Sequence, residues 1–393
     1  MKRAEYIGLC ASTMMLTALG IDIMLPALAE LRHHFGLRPD STAAGNIIVF
    51  FFMGQVAQLV FGILSDRFGR LPVLRIGFPL YIAGGLAAAF APSLELMCAA
   101  RFVAGMGAAA VLTTTIAGVR DRFVGDEMAR IMSFIFTLFL FTPVLAPFVG
   151  LAILSVGSWK AVFLTPPLFA IVVFIWSLRL EESHPASERT ALNWSSVRNA
   201  LIKMLTNRTF IRYTTITTFL FSGLSVYVSA SERIVGEIYG RPKLFPWIFA
   251  SIGLVMSFSA LFNARLARRF GARRTIRASL LVYTIVAGIV LAISIAEGFN
   301  PGMLIFFAGT GILLAINLAI EPNSSALALE SLGQTAGMAA SVYGTVFFFA
   351  GSSIGAFIGS MMQHSVLPLV ISFLLLGLAA LLLACTDPGR TKN

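Results

Sequence analysis

Two ionisable residues stand where ionisable residues are costly. Asp22 lies in Gly20-Ile21-Asp22-Ile23-Met24-Leu25-Pro26, and Arg101 opens Arg101-Phe102-Val103-Ala104-Gly105-Met106-Gly107, each inside a long apolar stretch. An arginine in such a place costs about 2.5–3.5 kcal/mol on insertion scales, so it should face a polar partner or an internal cavity, or else reach the outer surface. A carboxyl in a low-dielectric setting binds and releases a proton as water access and neighbouring charge change, which is the chemistry of a proton carrier. Asp22 and Arg101 are expected to pair; the alternative is that Asp22 merely reaches an outer interface. Glu321, before Pro322, and Glu232, beside Arg233, are the other acids at the edges of apolar runs, and both are expected as solvated helix ends with a secondary claim to the same chemistry. The four histidines, His33, His34, His184 and His364, are scattered, and no nucleophile elbow, zinc motif or phosphate-binding loop appears, which argues against an enzyme.

The elements that hold these residues follow from composition. The chain of 393 residues is 58% hydrophobic and 12% charged, and a bilayer crossing takes about 20 apolar residues. Apolar segments fall at roughly 6–29, 43–64, 72–91, 95–117, 131–155, 159–179, 210–231, 244–264, 275–296, 300–322, 335–362 and 364–385. The expected fold is therefore all-α and integral to a membrane, with twelve transmembrane helices. The net charge of +11 raises the question of nucleic acid, but the basic residues cluster between apolar spans. Twenty-two lie on the N-terminal side and six on the other, which places both termini in the cytoplasm. Met1-Lys2-Arg3 is like the start of a signal peptide, yet the apolar run that follows is long enough to be a retained first helix. The longest polar segment divides the chain into residues 1–180, a linker at 181–208 and residues 209–393, with a surface helix expected from Asn193 to Leu205. Cys10, Cys98 and Cys385 lack metal-ligand spacing and are expected as unpaired packing residues.

Several patterns carry position-specific chemistry. In Gly62-Ile63-Leu64-Ser65-Asp66-Arg67-Phe68-Gly69-Arg70, Gly62 and Gly69 permit a tight turn, while Asp66, Arg67 and Arg70 can form ion pairs that hold the cytoplasmic ends of two halves in one state. Arg67-Phe68-Gly69 recurs as Arg269-Phe270-Gly271 at the corresponding place in the second half, as a duplicated six-helix unit predicts. Pro143, Pro147 and Gly150 share one face of the fifth span, where the prolines remove backbone donors and bend the helix. Gly351, Gly355 and Gly359 form a small-residue stripe suited to close packing. The polar residues available to line a cavity are few: Asn46, Gln55, Gln58, Tyr227, Asn317, Asn323 and Tyr343. With 34 phenylalanines beside them, the balance leans toward lipophilic or amphipathic ligands.

The loop from Gly62 to Arg70 resembles the G-x-x-x-D-R-x-G-R signature of the major facilitator superfamily, and Arg101 to Gly107 is similar to its R-x-x-x-G-x-G pattern. Pro143, Pro147 and Gly150 look like the antiporter motif of the drug/proton branch, departing from it at Ala146 and Leu151, where glycines are usual. Two longer stretches, Arg120 to Ser133 and Pro322 to Gly344, resemble the Bcr/CflA group of multidrug efflux proteins. The resemblance implies two pseudo-symmetric six-helix bundles and export of drugs or metabolites in exchange for protons by alternating access. It also places a membrane-embedded acid in the first helix. A monomer in a bacterial inner membrane is implied, driven by a proton gradient without a cofactor, with small molecules, protons and membrane lipids as partners and no nucleic acid. Proton-coupled uptake is the alternative; a receptor would need a larger soluble region.

Overall fold

A computed structural model describes residues 1–189 and 194–387. Asn193, at the start of the expected surface helix, and Arg390 and Lys392, two of the basic residues on the N-terminal side, lie outside the described residues. Among the described residues the regular elements are helices: α1 (Arg3–Asp22), α2 (Leu28–His34), α3 (Asn46–Gly54), α4 (Gln58–Phe68), α5 (Arg70–Ala89), α6 (Leu94–Arg122), α7 (Gly125–Val156), α8 (Trp159–Ser177), α9 (Trp194–Thr206), α10 (Arg208–Arg233), α11 (Phe245–Phe270), α12 (Ala272–Ala296), α13 (Met303–Leu329), α14 (Ala336–Ser360) and α15 (Leu367–Cys385).

The first two expected spans are each built from two helices. Pro26 cannot donate a backbone hydrogen bond, so the first span passes through a tight turn at Leu25–Ala27 before continuing as α2. The second changes pitch at Gln55–Ala57, between α3 and α4. With these joined, 11 helices among the described residues are long and apolar enough by themselves to cross a membrane. The seventh expected span, α10, is the exception because it is rich in serine and threonine. It is nonetheless a 26-residue helix whose hydroxyls bond back to its own carbonyls, as Thr217 does to Tyr213 and Thr218 to Thr214, so burial leaves few of them wanting. Outward-facing side chains such as Val172, Phe258 and Leu382 are exposed, as a surface against hydrocarbon requires. The chain is a multi-pass membrane protein with twelve long helical spans.

Contacts divide the chain into two compact units, Met1–Pro39 with Ala44–Trp194, and Asp40–Ala43 with the residues from Ser195 onward. In the first, α6 packs closely on both α3 and α5. The glycines of its motif explain how. A Cβ on Gly105 would collide with the carbonyl of Phe51 in α3, and one on Gly107 with the backbone nitrogen of Tyr81 in α5. The two glycines thus serve opposite faces of one helix, each admitting a different neighbour to backbone contact.

In the second unit α10 is surrounded by α13, α14 and α15. Gly351 and Gly355 lie against Thr218, Phe221, Ser222 and Ser225 of α10, whereas a Cβ on Gly359 would meet nothing within 4 Å. The small-residue stripe is therefore a packing surface over its first two positions only. Gly69 and Gly271 each join two helices with positive φ, +100° and +80°, so the repeated tripeptides end in the same backbone device. The helix expected on the membrane surface is present as α9, with Val197, Ala200 and Met204 buried along one face and Ile202 and Leu205 exposed.

Candidate functional site

Asp22 is the last residue of α1 and is 5% exposed. Because the helix stops there, its final carbonyls lack the usual donors four residues on. Arg101 supplies one: its Nη2 donates to the carbonyl of Gly20, and its Nε reaches the carbonyl of Ile47 at 3.4 Å. The guanidinium also lies over the ring of Phe51, 4.4 Å from the centroid. Tyr81 closes the same corner, donating from Oη to the carbonyl of Leu16 at 2.8 Å and meeting Phe51 edge-on at 6.4 Å.

This corrects the expected Asp22–Arg101 ion pair. Arg101 is 1% exposed, and its donors are taken by the Gly20 carbonyl at the negative end of α1 and the Ile47 carbonyl of α3. The Asp22 carboxyl is left with no hydrogen-bond or ion-pair partner among the described residues. Arg101 holds the helix end that presents the acid, and does not neutralise it directly.

The proline-glycine face of α7 comes to the same place. Pro147 and Gly150 are buried, and a Cβ on Gly150 would collide with the carbonyl of Ile23, the residue after Asp22, with the Pro26 ring 3.4 Å away. Pro143, a turn earlier, lies within α7 and is half-buried.

The loop motif forms a separate network at the far end of the same unit. The Arg70 Nη1 contacts Asp66 Oδ1 at 2.6 Å, while Nε and Nη2 grip both oxygens of Asp121 at 2.8 and 3.2 Å. Glu182 accepts from the backbone nitrogens of Arg70 and Leu71 at 2.9 and 3.1 Å, capping the start of α5, and from that of His184 at 3.1 Å. Burial alone would push the Glu182 carboxyl up, but these three N–H donors and the nearby Arg189 charge hold it below the ordinary glutamate value. Arg67 is half-buried with its guanidinium over Phe68, and Gly62 lies on α4. Asp121 and Glu182 were not singled out from the sequence. Asp121 figured only within the Arg120–Ser133 stretch of the resemblance, and Glu182 only within the polar linker.

The second unit has a counterpart. Asp387, just past α15, accepts from Tyr213 Oη at 2.7 Å and Arg273 Nε at 2.9 Å, with Arg212 at 3.3 Å. Burial pushes its carboxyl up, and these three groups more than offset that, leaving it below the ordinary aspartate value.

The remaining expected residues are dispersed. Asn317 Nδ2 donates to the carbonyl of Leu220 at 2.9 Å, and Asn323 Nδ2 to Asn263 Oδ1 at 2.7 Å, so both brace helices. Tyr343 stacks on Phe347, its hydroxyl beside the Glu321 carboxyl without a well-aligned hydrogen bond. Tyr227 stacks on Phe249 at 5.9 Å. Gln55 accepts from Gln58 at 3.2 Å, while its own buried Nε2 finds no acceptor among the described residues; Asn46 is half-buried at the start of α3. Glu232 and Arg233 are not solvated ends: they are 7% and 3% exposed, because the chain past α10 continues in a wide helical turn at Ile234–Ile238 and Arg233 donates to the carbonyl of Gln363 at 2.8 Å. Glu321, by contrast with the expected solvated position, is half-buried on α13.

Residues 10–356 match the Major Facilitator Superfamily. The chain is 27% identical to a bicyclomycin resistance protein homolog of Haemophilus influenzae, over 91% of this chain and 89% of that one. It is 27% identical to a chloramphenicol resistance protein of Pseudomonas aeruginosa, over 95% and 88%, and 27% identical to the multidrug resistance protein MdtL of Shigella dysenteriae, over 94% and 93%. Among solved structures, a D-xylose-proton symporter superposes with a TM-score of 0.77 over 98% of both chains at 14% identity, and the human organic anion transporter MFSD10 with 0.72 over 98% and 100% at 17%, likenesses of fold alone. The chain belongs to the Major Facilitator Superfamily, and its relatives are those of the Bcr/CflA drug-efflux group that the loop and span motifs resemble.

Proposed function

We propose that this protein is a secondary active transporter that exports small lipophilic or amphipathic molecules, drugs or metabolites, in exchange for protons by alternating access. The observation that carries the proposal is the Asp22 carboxyl: buried, without a partner among the described residues, at the broken end of α1 and beside Gly150 of the proline-glycine face. A charge in that setting is costly, so proton binding there responds to whichever side admits water and to a substrate that competes for the site. Arg101 fixes the carboxyl's position by holding the Gly20 carbonyl. The names of the three relatives support export of antibiotics and other drugs as the substrate class.

The Asp66–Arg70–Asp121–Glu182 network, ion pairs of Arg70 with two aspartates and backbone N–H bonds to Glu182, is the proposed gating element, made in one conformation and broken in another. Both termini are cytoplasmic on the distribution of basic residues, with 181–208 as the linker, the inner membrane of a bacterium as the location and a monomer as the working form. Proton-gradient energy replaces any cofactor.

The test is transport in proteoliposomes under an imposed proton gradient, screened across hydrophobic cations and neutral antibiotics. Substrate moving against the direction of proton flow supports exchange. Substrate and protons moving together overturns it in favour of uptake.

A further inference from the structure

Each unit pairs one loop arginine with carboxylates and leaves Arg67, or its counterpart Arg269, over the ring of the following phenylalanine. In the first, Arg70 is gripped by Asp66 and Asp121. In the second, Arg273 is paired with Asp387 and Glu330, but Arg265 and Arg269 at the end of α11 have no carboxylate partner among the described residues. Both are exposed, and each guanidinium lies near a ring of its own helix, Arg265 by Phe262 at 5.9 Å and Arg269 by Phe270 at 5.4 Å.

These arginines border a groove of about 300 Å³ between α11 and α13. Its walls are mainly apolar along the span: Phe262 and Leu266 of α11, 65% and 44% exposed, and Ile316 and Ala319 of α13 line it, with Ser259 and Asn263 of α11 and Ser279 of α12 as the uncharged polar groups. A groove with a hydrocarbon wall below and two uncompensated cations at its mouth matches a molecule with acyl chains and a negative head. A cation pair near the interface attracts an anionic headgroup by about 1 kcal/mol per arginine. A soluble anion would satisfy the arginines and leave the apolar wall uncovered; an uncharged lipid would do the reverse.

We propose that this groove binds an anionic phospholipid, with Arg265 and Arg269 on the headgroup phosphate and an acyl chain along Phe262 and Leu266. It lies within the second unit, apart from Asp22, and does not depend on the transport reading.

Native mass spectrometry of the detergent-purified protein, titrated with phosphatidylglycerol or phosphatidylcholine, tests it. The expected result is phosphatidylglycerol retained about thirtyfold more strongly, two arginines at about 1 kcal/mol each with about 1.4 kcal/mol per tenfold. That preference should vanish in R265A/R269A, persist in R268A, and largely survive in R265K/R269K, which keeps the charge and guards against a folding defect. Retention of both lipids should weaken in F262S. An unchanged preference in R265A/R269A overturns the proposal, as does displacement of phosphatidylglycerol by millimolar inorganic phosphate, which would identify a soluble-anion site instead.

Discussion

The backbone carbonyl of Ile23 lies directly against Gly150, with no side chain between them. The break in α1 that exposes the end of its carbonyl ladder is thus seated on the one position of the α7 face that has no Cβ. Any movement of α7 about Pro143 and Pro147 is felt first at the residue next to Asp22, which links a bend in one helix to the setting of an acid in another.

This seating predicts that Gly150→Ala is damaging out of proportion to its size. The added methyl collides with backbone, which has no rotamer to escape into. Transport should fall by at least tenfold, with melting in detergent lowered, whereas Gly359→Ala, whose methyl meets nothing within 4 Å, should melt and transport like the parent. Equal effects of the two substitutions would contradict the packing account.

Asp22→Asn keeps the shape of the side chain and removes its titration. Proton uptake on substrate release, followed with a pH-sensitive dye in liposomes, should be abolished, while binding of neutral substrates persists. Coupled proton movement of normal size in this variant would falsify the assignment of Asp22.

Arg101→Ala leaves the carbonyl of Gly20 buried without a donor, at a cost of about 1–3 kcal/mol. Arg101→Lys retains the charge but cannot reach Gly20 and Ile47 together and lacks the flat face that lies on Phe51. Thermal unfolding should therefore rank parent above lysine above alanine. If lysine matched the parent in both stability and transport, charge alone would be the residue's role.

Glu182 and Asp387 have lowered carboxyl values in the folded protein, so their stabilisation is complete above the unfolded carboxylate range, about pH 4–4.5, and is lost as pH falls through the lower folded values. Melting temperature should be flat with respect to these two groups from pH 7 to about 5 and drop below about 4. Glu182→Gln should melt lower than the parent at pH 7, and the gap should close on acidification. A gap independent of pH would mean that the N–H donors of Arg70 and Leu71 do not select the ionised carboxylate.

Much of the architecture was legible because the bilayer imposes a length and a composition on every crossing. Twelve spans and a recurring glycine at two helix joints could be read from hydropathy and spacing. Even α10, rich in hydroxyls, falls among the apolar segments, at 210–231. Asp22 stood out because an acid in an apolar run is rare for energetic reasons, and Gly105, Gly107 and Gly150 because they stand in motifs the chain resembles; their backbone contacts came only with the structure.

Partners were a different matter. Which donor satisfies which acceptor depends on how helices far apart in sequence meet, and charge type alone suggested an Asp22–Arg101 pair. Only the tertiary structure showed Arg101 turned to the carbonyls of Gly20 and Ile47, Asp22 without a partner among the described residues, Asp121 and Glu182 closing on Arg70, and Glu232 and Arg233 buried at the end of α10. The sequence by itself determined what must lie inside the membrane; the packing decided what each buried group touches, because a broken helix releases carbonyls whose new donors can come only from a neighbour.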